Sequence, residues 1–365
     1  MTKPVLPAAL AGSAPYLAAE RTRGLAPTLD AAARAAPQSH RFLSRGWFAA
    51  ALAHYGGEDD ASTISVARTD GSTVLALPFV PKGPRWLRAG AVPGCFWPFR
   101  SFPLAEDARD DEIGAALALI AEHARVLRLG PVYANDPAVV RLRAVAENSG
   151  WRVLSRRIAT SYLLDIEAAR SEGAWPRNST LRKNRFHEKH LAAHGALDWR
   201  FVSGPDWTSG IFDDLAAIEQ KSWLAERTDG SDAKFTESGH GGFWRAAAAD
   251  PGIAAAMWAA ILYVDGEPAA FSFDLNLGRT KYAIANSYDP AFAKHSPGKL
   301  LYYRNLIRGI EDGITLVDWG AGDSGYKRVI GAEEGPEIVD VLFVAPGVPA
   351  MLARLFGRLW SRSGN

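Results

Sequence analysis

The chain has 365 residues, with 41 lysines and arginines against 40 aspartates and glutamates, so its net charge of +1 gives no overall attraction to nucleic acid. Its single cysteine, Cys95, excludes an internal disulfide, and we expect a cytoplasmic protein in which this thiol is buried and inert. One cysteine and scattered histidines do not favour a metal site, and no apolar run reaches the ~18 residues that predict a membrane-spanning helix.

Helix and strand patterns alternate along the first half, after an N-terminal segment at residues 1–35 that we expect to be a tail. Residues 42–55 predict an amphipathic helix that ends at Gly56. Two alternating, β-branched runs flank Asp70 and Gly71, a pair that favours a tight hairpin turn. Later patterns predict the helix DDEIGAALALIAEHARV, the strand VLRLGPV, the helix DPAVVRLRAVAENSG and the strand WRVLSRRIATSYLLDI.

The second half repeats this plan. The helix IFDDLAAIEQKSWLAE precedes a hairpin on Asp265 and Gly266, and a strand TKYAIANSYD follows. The helix SPGKLLYYRNLIRGIEDG, the strands ITLVDWG and EIVDVLFVA and a closing helix PAMLARLFGRLW complete the pattern. This weak internal repeat predicts two mixed α/β domains of common ancestry, at residues 36–160 and 161–365.

A strongly basic helix is predicted between the two halves. Residues 177–190 contain one acid, Glu188, and five cations: Arg177, Arg182, Lys183, Arg185 and Lys189. Asn178 or Ser179 is expected to cap its start, and Gly195 to end it. A solvated helix face explains such a run, but five mutually repelling cations also suit phosphate groups. On that second interpretation Arg182 and Arg185 contact an anionic part of the substrate.

The stretch HSPGKLL begins a helix with an unusually bare backbone. Ser296 is a favourable N-cap, Pro297 suits the first helical position, and Gly298 has no side chain. An ordinary capped helix start explains these residues. The alternative is that an anionic group approaches the free N–H groups of the first turn.

The segment VDWGAGDSGYK contains a G-x-G-x-x-G pattern that we do not interpret as a nucleotide site. The residues after it lack helical periodicity, and Tyr326 occupies the place where a P-loop needs lysine. A polar loop at a strand end still favours a functional site. Its candidates are Asp318, Asp323, Tyr326 and Lys327, although an aspartate–lysine pair that stiffens the turn is an equal alternative.

Taken in order, several of these segments resemble the FemAB-like branch of the GNAT acyltransferases, and among them the acetyltransferase domain of CelD/BcsL-type cellulose-biosynthesis proteins. The matching segments are LRKNRFHEKHLAAHG, IEQKSW, GEPAAF, YDPAFAKHSPGKLL and DWGAGDSGYKRVIGA, with a looser match at FLSRGWFAAAL and VLRLGPV. The resemblance implies two tandem GNAT-like folds, each a twisted mixed sheet flanked by helices. It implies acetyl-CoA or a longer acyl-CoA as donor, and a first domain that is not catalytic.

The resemblance also implies where the donor binds. In such folds the CoA pyrophosphate contacts a helix N-terminus. On this chain that helix starts at Ser296, Pro297 and Gly298, with Lys299 and Leu300 beside them.

Acylation of an amine requires a general base, because only the neutral nitrogen attacks a thioester. We expect Asp318 or Glu219 in this role; Glu219 lies one helical turn before Trp223, whose indole would raise the carboxyl pKa. An ordinary glutamate over a core tryptophan is the alternative. Further candidates are Tyr326 and Lys327 as general acid or anchor, and the acceptor-groove residues Trp223, Tyr288, Asp289 and Asp323.

We therefore expect an acyl-CoA-dependent N-acyltransferase whose acceptor is an amino sugar of a polysaccharide or cell-envelope precursor. The acceptor is a small molecule or a lipid-linked one, and the enzyme is cytoplasmic or peripheral to an anionic inner membrane or to polysaccharide synthesis machinery. The alternatives are an aminoacyl-tRNA-dependent Fem-type ligase, a lipid-amine N-acyltransferase, and a non-catalytic scaffold of a polysaccharide synthesis complex.

Overall fold

One mixed sheet of twelve strands runs through the part of the chain that the structure describes. The structure is a computed structural model, and it describes residues 18–95, 97–173, 175–222, 230–322 and 325–347, with single positions between 349 and 360. No helix within these residues is both long and apolar enough to cross a membrane.

The strands confirm the predicted alternating patterns and add segments that those patterns missed. Their bounds are β1 Ala18–Arg23, β2 Ser62–Ala67, β3 Thr73–Lys82, β4 Ala89–Ala91, β5 Val126–Tyr133, β6 Arg152–Asp165, β7 Leu197–Ser203, β8 Met257–Val264, β9 Glu267–Leu277, β10 Thr280–Tyr288, β11 Leu316–Ala321 and β12 Glu333–Val344. Their order across the sheet is β1-β2-β3-β4-β5-β12-β6-β11-β10-β9-β8-β7.

The helices flank this sheet. Their bounds are α1 Thr28–Ala35, α2 Arg45–Tyr55, α3 Asp110–His123, α4 Pro137–Asn148, α5 Ile166–Ser171, α6 Asn178–Leu191, α7 Ser209–Lys221, α8 Gly241–Ala247, α9 Pro251–Ala256, α10 Pro297–Glu311 and α11 Tyr326–Val329. Short 3₁₀ turns occur at Gln38–His40, Arg85–Leu87, Ala192–His194, Gly204–Asp206 and Pro290–His295.

Each half contains an antiparallel hairpin followed by one parallel pair of strands. The hairpins β2–β3 and β8–β9 confirm the two predicted turns. In the second turn Asp265 and Gly266 both have positive φ, 50° and 82°, as a two-residue turn between twisted strands requires. The parallel pairs are β4 with β5 and β10 with β11. This shared plan matches the internal repeat seen in the sequence.

The expected N-terminal tail is structured from residue 18 onward. Strand β1 pairs with β2 along its whole length, and Leu29 of α1 is fully buried against the first half. The prediction of a tail over residues 1–35 is therefore wrong for its second part, since its apolar residues cover the core.

The two halves share one hydrophobic core. Trp47 of α2 packs edge-on against Phe243 of α8, with ring centroids 4.9 Å apart, and lies 6.1 Å from Trp244. Strand β12 pairs with β5 on one side and β6 on the other. The predicted domain boundary between residues 160 and 161 falls inside β6, so the sheet is continuous across it, and the division into domains stays a prediction.

Candidate functional site

Strands β10 and β11 pair for only three rungs and then diverge. Thr280, Lys281 and Tyr282 pair in parallel with residues 316–318, whereas the rest of β10, to Tyr288, pairs with β9 and not with β11. A bulge in the β9–β10 pairing lies just after the last shared rung, at residues 283–285. Such bulges bend a strand away from its neighbour. The result is a wedge-shaped opening between two strands in the middle of the sheet.

Asp318 lies at the last shared rung of this opening. Its side chain is buried, at 3% exposure, and its Oδ1 accepts a hydrogen bond of 2.7 Å from the Gly320 N–H. Burial raises the pKa of the Asp318 carboxyl to about 6, even though that hydrogen bond, the Tyr133 phenol and Lys327 favour the charged form. A carboxyl tuned in this direction suits a general base near neutral pH. The structure thus gives Asp318 the environment that its predicted role needs.

A cavity of about 190 Å³ adjoins Asp318, and residues of the first half form much of its wall. Thr280, Tyr282 and Leu316 contribute from the second half. The first half contributes polar and aromatic groups: Ser39, His40, Phe42, Phe99, Ser101, Tyr133, Asn135 and Asp136. The sequence analysis did not identify any of these first-half residues.

A buried hydrogen-bond network crosses the first-half wall of this cavity. His40 Nε2 lies 2.9 Å from Asp136 Oδ2, and His40 Nδ1 lies 3.0 Å from the Ser39 hydroxyl. Asp136 Oδ1 accepts hydrogen bonds from the Ser101 hydroxyl and the Val139 N–H, each at 2.9 Å. The Asp-Pro sequence at the start of α4 signals the cap, but nothing in the sequence relates it to His40, 96 residues away.

Tyr133 contributes a further polar group to the wall. The residue is buried, and its hydroxyl makes no regular hydrogen bond within the described residues, although Asp318 lies close enough to affect its ionisation. Burial, reinforced by the Asp318 charge, raises the pKa of Tyr133 well above its usual value. The phenol therefore stays protonated beside the Asp318 carboxyl, at the wall of the cavity.

Lys327 stabilises the end of β11. Its buried Nζ donates to the Gly320 and Ala321 carbonyl oxygens at 3.0 and 2.9 Å. These bonds accompany the short helix α11, which corrects the expectation that no helix follows the glycine-rich loop. The lysine thus holds the loop beside Asp318, in line with the turn-stiffening interpretation of the sequence.

Tyr326 lies on the other face of β11 from Asp318. Its ring contacts the rings of Trp319 and Tyr302, with centroids 5.9 and 6.4 Å away, and 42% of the residue is exposed. Since successive side chains of a strand point to opposite faces, Trp319 and Asp318 face different sides of the sheet. Asp318 and Tyr326 thus do not share the cavity.

The glycine-rich loop has a packing explanation. Gly320 has φ of +69°, and a Cβ there would lie 2.5 Å from Trp97 Cζ2 of the first half. Gly322 and Gly325 also have positive φ, 77° and 75°. The pattern therefore builds a tight loop against the first half and does not form a nucleotide-binding turn.

Glu219 is buried, but both of its carboxylate oxygens already have protein partners. Oε1 accepts a 2.9 Å bond from the Lys234 N–H, and Oε2 a 2.7 Å bond from the Phe235 N–H. Burial raises the pKa of Glu219, as expected, with those two hydrogen bonds opposing the shift. The side chain anchors the loop after residue 230 and does not line the cavity at Asp318. Its predicted partner Trp223 lies outside the described residues, as does Asp323.

The start of α10 differs from the predicted cap. Ser296 occupies the N-cap position, as predicted, but it has φ of 50° and its side chain makes no capping hydrogen bond. A Cβ on Gly298 would lie 2.6 Å from Asn286 Oδ1 and 3.1 Å from Tyr288 Cδ1. Close packing on β10 therefore requires the glycine, whether or not a phosphate also approaches. Pro297 and Leu300 are buried in the same first turn.

The residues predicted to line an acceptor groove at the end of β10 have structural contacts instead. Tyr288 packs against Gly298. Asp289 Oδ1 accepts a 2.9 Å bond from the Ala291 N–H, and its Oδ2 lies 3.6 Å from Lys221 Nζ. Neither residue lines the cavity at Asp318. Asp289 caps the 3₁₀ turn that leads into α10.

Cationic groups gather around the first turn of α10. Burial lowers the pKa of Lys299, and the nearby Lys183 of α6 lowers it further. Burial likewise lowers the pKa of His187, with Lys183 and Lys299 adding to the shift. His194 and His295 bring their Nε2 atoms within 2.9 Å of each other nearby. Positive groups that depress each other's protonation are a good environment for an anion.

The basic helix α6 exposes most of its predicted cations. Arg182 and Arg185 are exposed together with Phe186, and Arg185 borders an open groove between α6 and β7. Arg177 precedes the helix, so the expected caps Asn178 and Ser179 are wrong, because both lie inside it. The helix ends at Leu191, and Gly195 ends the 3₁₀ turn that follows. Arg182 and Arg185 are thus separate from the cavity at Asp318.

Comparison with known protein families relates the second half of the chain to acetyltransferases. Residues 178–328 match the family model described as an acetyltransferase (GNAT) domain. This segment contains α6, the diverging strands, the start of α10 and Asp318. A comparison with curated proteins finds no match.

Three solved structures show the same fold over most of the chain. FemX superposes with a TM-score of 0.57 at 11% identity, over 93% of this chain and 100% of that one. The C-terminal domain of a putative lysylphosphatidylglycerol synthetase from Agrobacterium fabrum has a TM-score of 0.52 at 15% identity, over 93% and 96% of the two chains. L-PGS from Bacillus licheniformis has a TM-score of 0.50 at 14% identity, over 86% and 93%.

The chain is therefore an acyltransferase with a GNAT domain at residues 178–328. The predicted fold, mixed α/β with two tandem GNAT-like units in a sheet flanked by helices, is confirmed, and so is the FemAB-like fold resemblance. The relation to CelD/BcsL-type proteins stays a prediction.

Proposed function

We propose that the protein is an acyl-CoA-dependent N-acyltransferase in which Asp318 is the general base. The observation that carries this proposal is the position of Asp318: a buried carboxyl with a pKa of about 6, at the rung where β10 and β11 diverge and beside a cavity. A thioester in the opening between the strands would place its carbonyl next to this carboxylate. An amine in the cavity would then approach the carbonyl from the opposite side.

The reaction proceeds by direct attack. The ammonium form of the acceptor releases one proton to solvent, the neutral nitrogen then forms the C–N bond at the carbonyl carbon, and Asp318 accepts the second proton that the nitrogen loses. The C–S bond breaks, and the CoA sulfur takes a proton from Tyr326 or from water. The phenol of Tyr326 is our candidate for this acid because it is half-exposed beside the aromatic face of β11. Two protons leave the ammonium, of which one ends on sulfur and one in solvent.

The donor phosphates are assigned to the first turn of α10. Ser296, Pro297, Gly298, Lys299 and Leu300 form this turn, and its free N–H groups and helix dipole favour an anion. Lys299 and Lys183 add positive charge at the same place. The acyl chain is acetyl or longer, and no metal takes part in the proposed chemistry.

The acceptor is an amine, and we assign it to the amino sugars of polysaccharide or cell-envelope precursors. The hydroxyl and carboxyl groups in the cavity wall support a hydroxylated acceptor over a purely lipid one. The similarity to FemX and to lysylphosphatidylglycerol synthetase domains supports a second candidate, transfer of an aminoacyl group from tRNA. The match to an acetyltransferase model favours the CoA donor.

We also propose peripheral contact with an anionic membrane through α6. Arg182, Lys183, Arg185 and Lys189 are exposed on this helix, and Phe186 among them is 59% exposed. Exposed cations around an apolar side chain suit the interface of an anionic bilayer.

Calorimetric titration tests the donor assignment. We expect acetyl-CoA or a long-chain acyl-CoA to bind the wild type, and the double variant Lys183→Gln, Lys299→Gln to bind about tenfold more weakly. Lys82→Gln, an exposed lysine at the end of β3, is the matched control and should bind normally. No binding of any acyl-CoA by the folded wild type, together with lysyl transfer from lysyl-tRNA, would establish the second candidate instead.

A further inference from the structure

The cavity at Asp318 is enclosed by both halves of the chain, although the first half was expected to be non-catalytic. Ser39, His40, Ser101, Tyr133 and Asp136 form its first-half wall. Their side chains are oriented by hydrogen bonds among themselves, except for the Tyr133 hydroxyl. A wall of this kind is built before any ligand arrives.

The donors and acceptors already used within the network determine which atoms remain for a ligand. Asp136 accepts from Val139 and Ser101, as a carboxylate does, so His40 Nε2 is the donor to its second oxygen. With the neutral imidazole in that tautomer, His40 Nδ1 accepts the Ser39 hydroxyl proton. Ser39 and Ser101 both line the cavity, and their hydroxyl oxygens keep lone pairs that can accept from a ligand.

The Tyr133 hydroxyl is the second, independent observation. It is buried beside the Asp318 carboxyl, whose charged form it favours, and it has no hydrogen bond of regular geometry within the residues that the structure describes. An unsatisfied buried hydroxyl is costly unless a ligand or water completes it. Tyr133 and Asp318 both line the cavity, so a ligand there would meet the phenol and the carboxyl together.

The volume and the lining residues of the cavity limit the size and chemistry of its ligand. The cavity volume is about 190 Å³, and a cavity of ~150 Å³ holds one benzene ring. The rings of Phe42, Phe99 and Tyr282 form flat apolar walls beside the oxygens. Hydroxyl oxygens and a carboxylate favour a guest rich in N–H and O–H donors, and aromatic faces favour a ring or a cation.

We infer that this cavity is the acceptor subsite, that the first half forms it through Tyr133 and the Ser39–His40–Asp136 network, and that it takes a compact amine carrying hydroxyl groups, one ring in size. This inference rests on the proposed function, because it assigns the acceptor of that reaction. Tyr133 touches the acceptor, and His40 positions Ser39.

The test uses the full chain with acetyl-CoA and two amines of similar ring size, glucosamine and cyclohexylamine. We expect faster CoA release with glucosamine. Tyr133→Phe should raise the KM for glucosamine about tenfold, with the Kd for acetyl-CoA changed less than twofold. The control Tyr263→Phe removes another buried hydroxyl, bonded to Asp214 at 2.6 Å outside the cavity, and should keep the wild-type KM.

His40 is tested by rescue. His40→Ala should raise the KM for glucosamine, and His40→Gln, which keeps a donor to Asp136, should restore part of the loss. Wild-type KM values for both amines in Tyr133→Phe and in His40→Ala would overturn the inference.

A failure of the donor assignment is separable from a failure of this inference. Saturation-transfer NMR measures glucosamine binding without any donor. Binding by the wild type that Tyr133→Phe abolishes would support the subsite even if acetyl-CoA does not bind. No glucosamine binding by a wild type that does bind acetyl-CoA would overturn the subsite and leave the donor site intact.

Discussion

Two buried aspartates lie on opposite faces of the same part of the sheet and have different partners. Asp274, on the face under α10, lies 3.1 Å from Lys281 Nζ and also accepts from Asn305. Asp318, on the cavity face, has no cation within salt-bridge distance among the described residues. Burial raises the pKa of both carboxyls. Burial alone therefore does not identify a general base. The charge of Asp274 is compensated by Lys281, whereas Asp318 lines a cavity that a substrate can enter.

The largest expected effect is a loss of activity when the Asp318 carboxyl is replaced. Asp318→Asn should lower kcat by about 10²–10⁴-fold, because an amide cannot accept the nitrogen's proton. Steady-state rates with acetyl-CoA and glucosamine measure it, with Asp214→Asn, outside the cavity, as the matched control. A variant with full turnover would remove Asp318 from the mechanism.

Lys281→Met tests the paired aspartate. The substitution leaves a charge at Asp274 buried without its cation, which typically costs about 3–5 kcal/mol. Urea unfolding measures the free energy. Adding Asp274→Leu should recover most of the loss, since no buried charge then remains. A single variant as stable as the wild type would show that the pair contributes little.

Protonation of Asp318 should affect catalytic activity and folding stability in opposite directions as the pH changes. Activity should rise as pH increases through about 6, the pKa of the folded protein. The free energy of unfolding should fall as the pH rises over the same range. The folded pKa lies above the unfolded value of 3.8, so the protonated form stabilises the fold and this contribution is lost between pH 4 and 6.

The size of that stability change is up to roughly 3 kcal/mol, at about 1.4 kcal/mol per pKa unit. Denaturant unfolding at pH 4 and pH 7 measures it, and the difference between wild type and Asp318→Asn isolates this residue. Identical pH profiles for the two proteins would contradict a raised pKa.

Gly298→Ala should destabilise the chain by about 1–3 kcal/mol, because the new methyl group overlaps Asn286 and Tyr288. Adding Asn286→Ala makes room and should restore stability. Thermal unfolding measures both variants. If acyl-CoA affinity returns together with stability, the glycine serves packing; if affinity stays low, the phosphates also need the space.

The smallest expected effect is on the outer face of α10. Arg304 and Glu188 form an ion pair at the partly exposed contact with α6. Glu188→Gln should cost about 0.2–1 kcal/mol, as exposed pairs usually do. Urea unfolding at low and high salt checks it. A loss of unfolding free energy as large as that of Lys281→Met would show that the stabilisation by these two ion pairs does not depend on their exposure.

Sequence patterns predicted the strands and hairpins well because alternation and turn residues act locally. The prediction of Asp318 as the base came from a local feature, a carboxylate at a polar strand end, and it stays a prediction. The assignment of Glu219 depended on the spacing to Trp223, and that spacing carries no information about the backbone N–H groups of Lys234 and Phe235. His40 and Asp136 meet only through the tertiary fold.

Strand β12 also has a consequence for synthesis on the ribosome. Residues 333–344 insert between β5 and β6, which are made far earlier in the chain. Until they emerge, both neighbouring strands present unpaired edges, which invite association with other chains. Pairings across such sequence distances also form slowly. We therefore expect nascent chains that stop before residue 333 to depend on chaperones, and the final cooperative folding step to wait for the last strand.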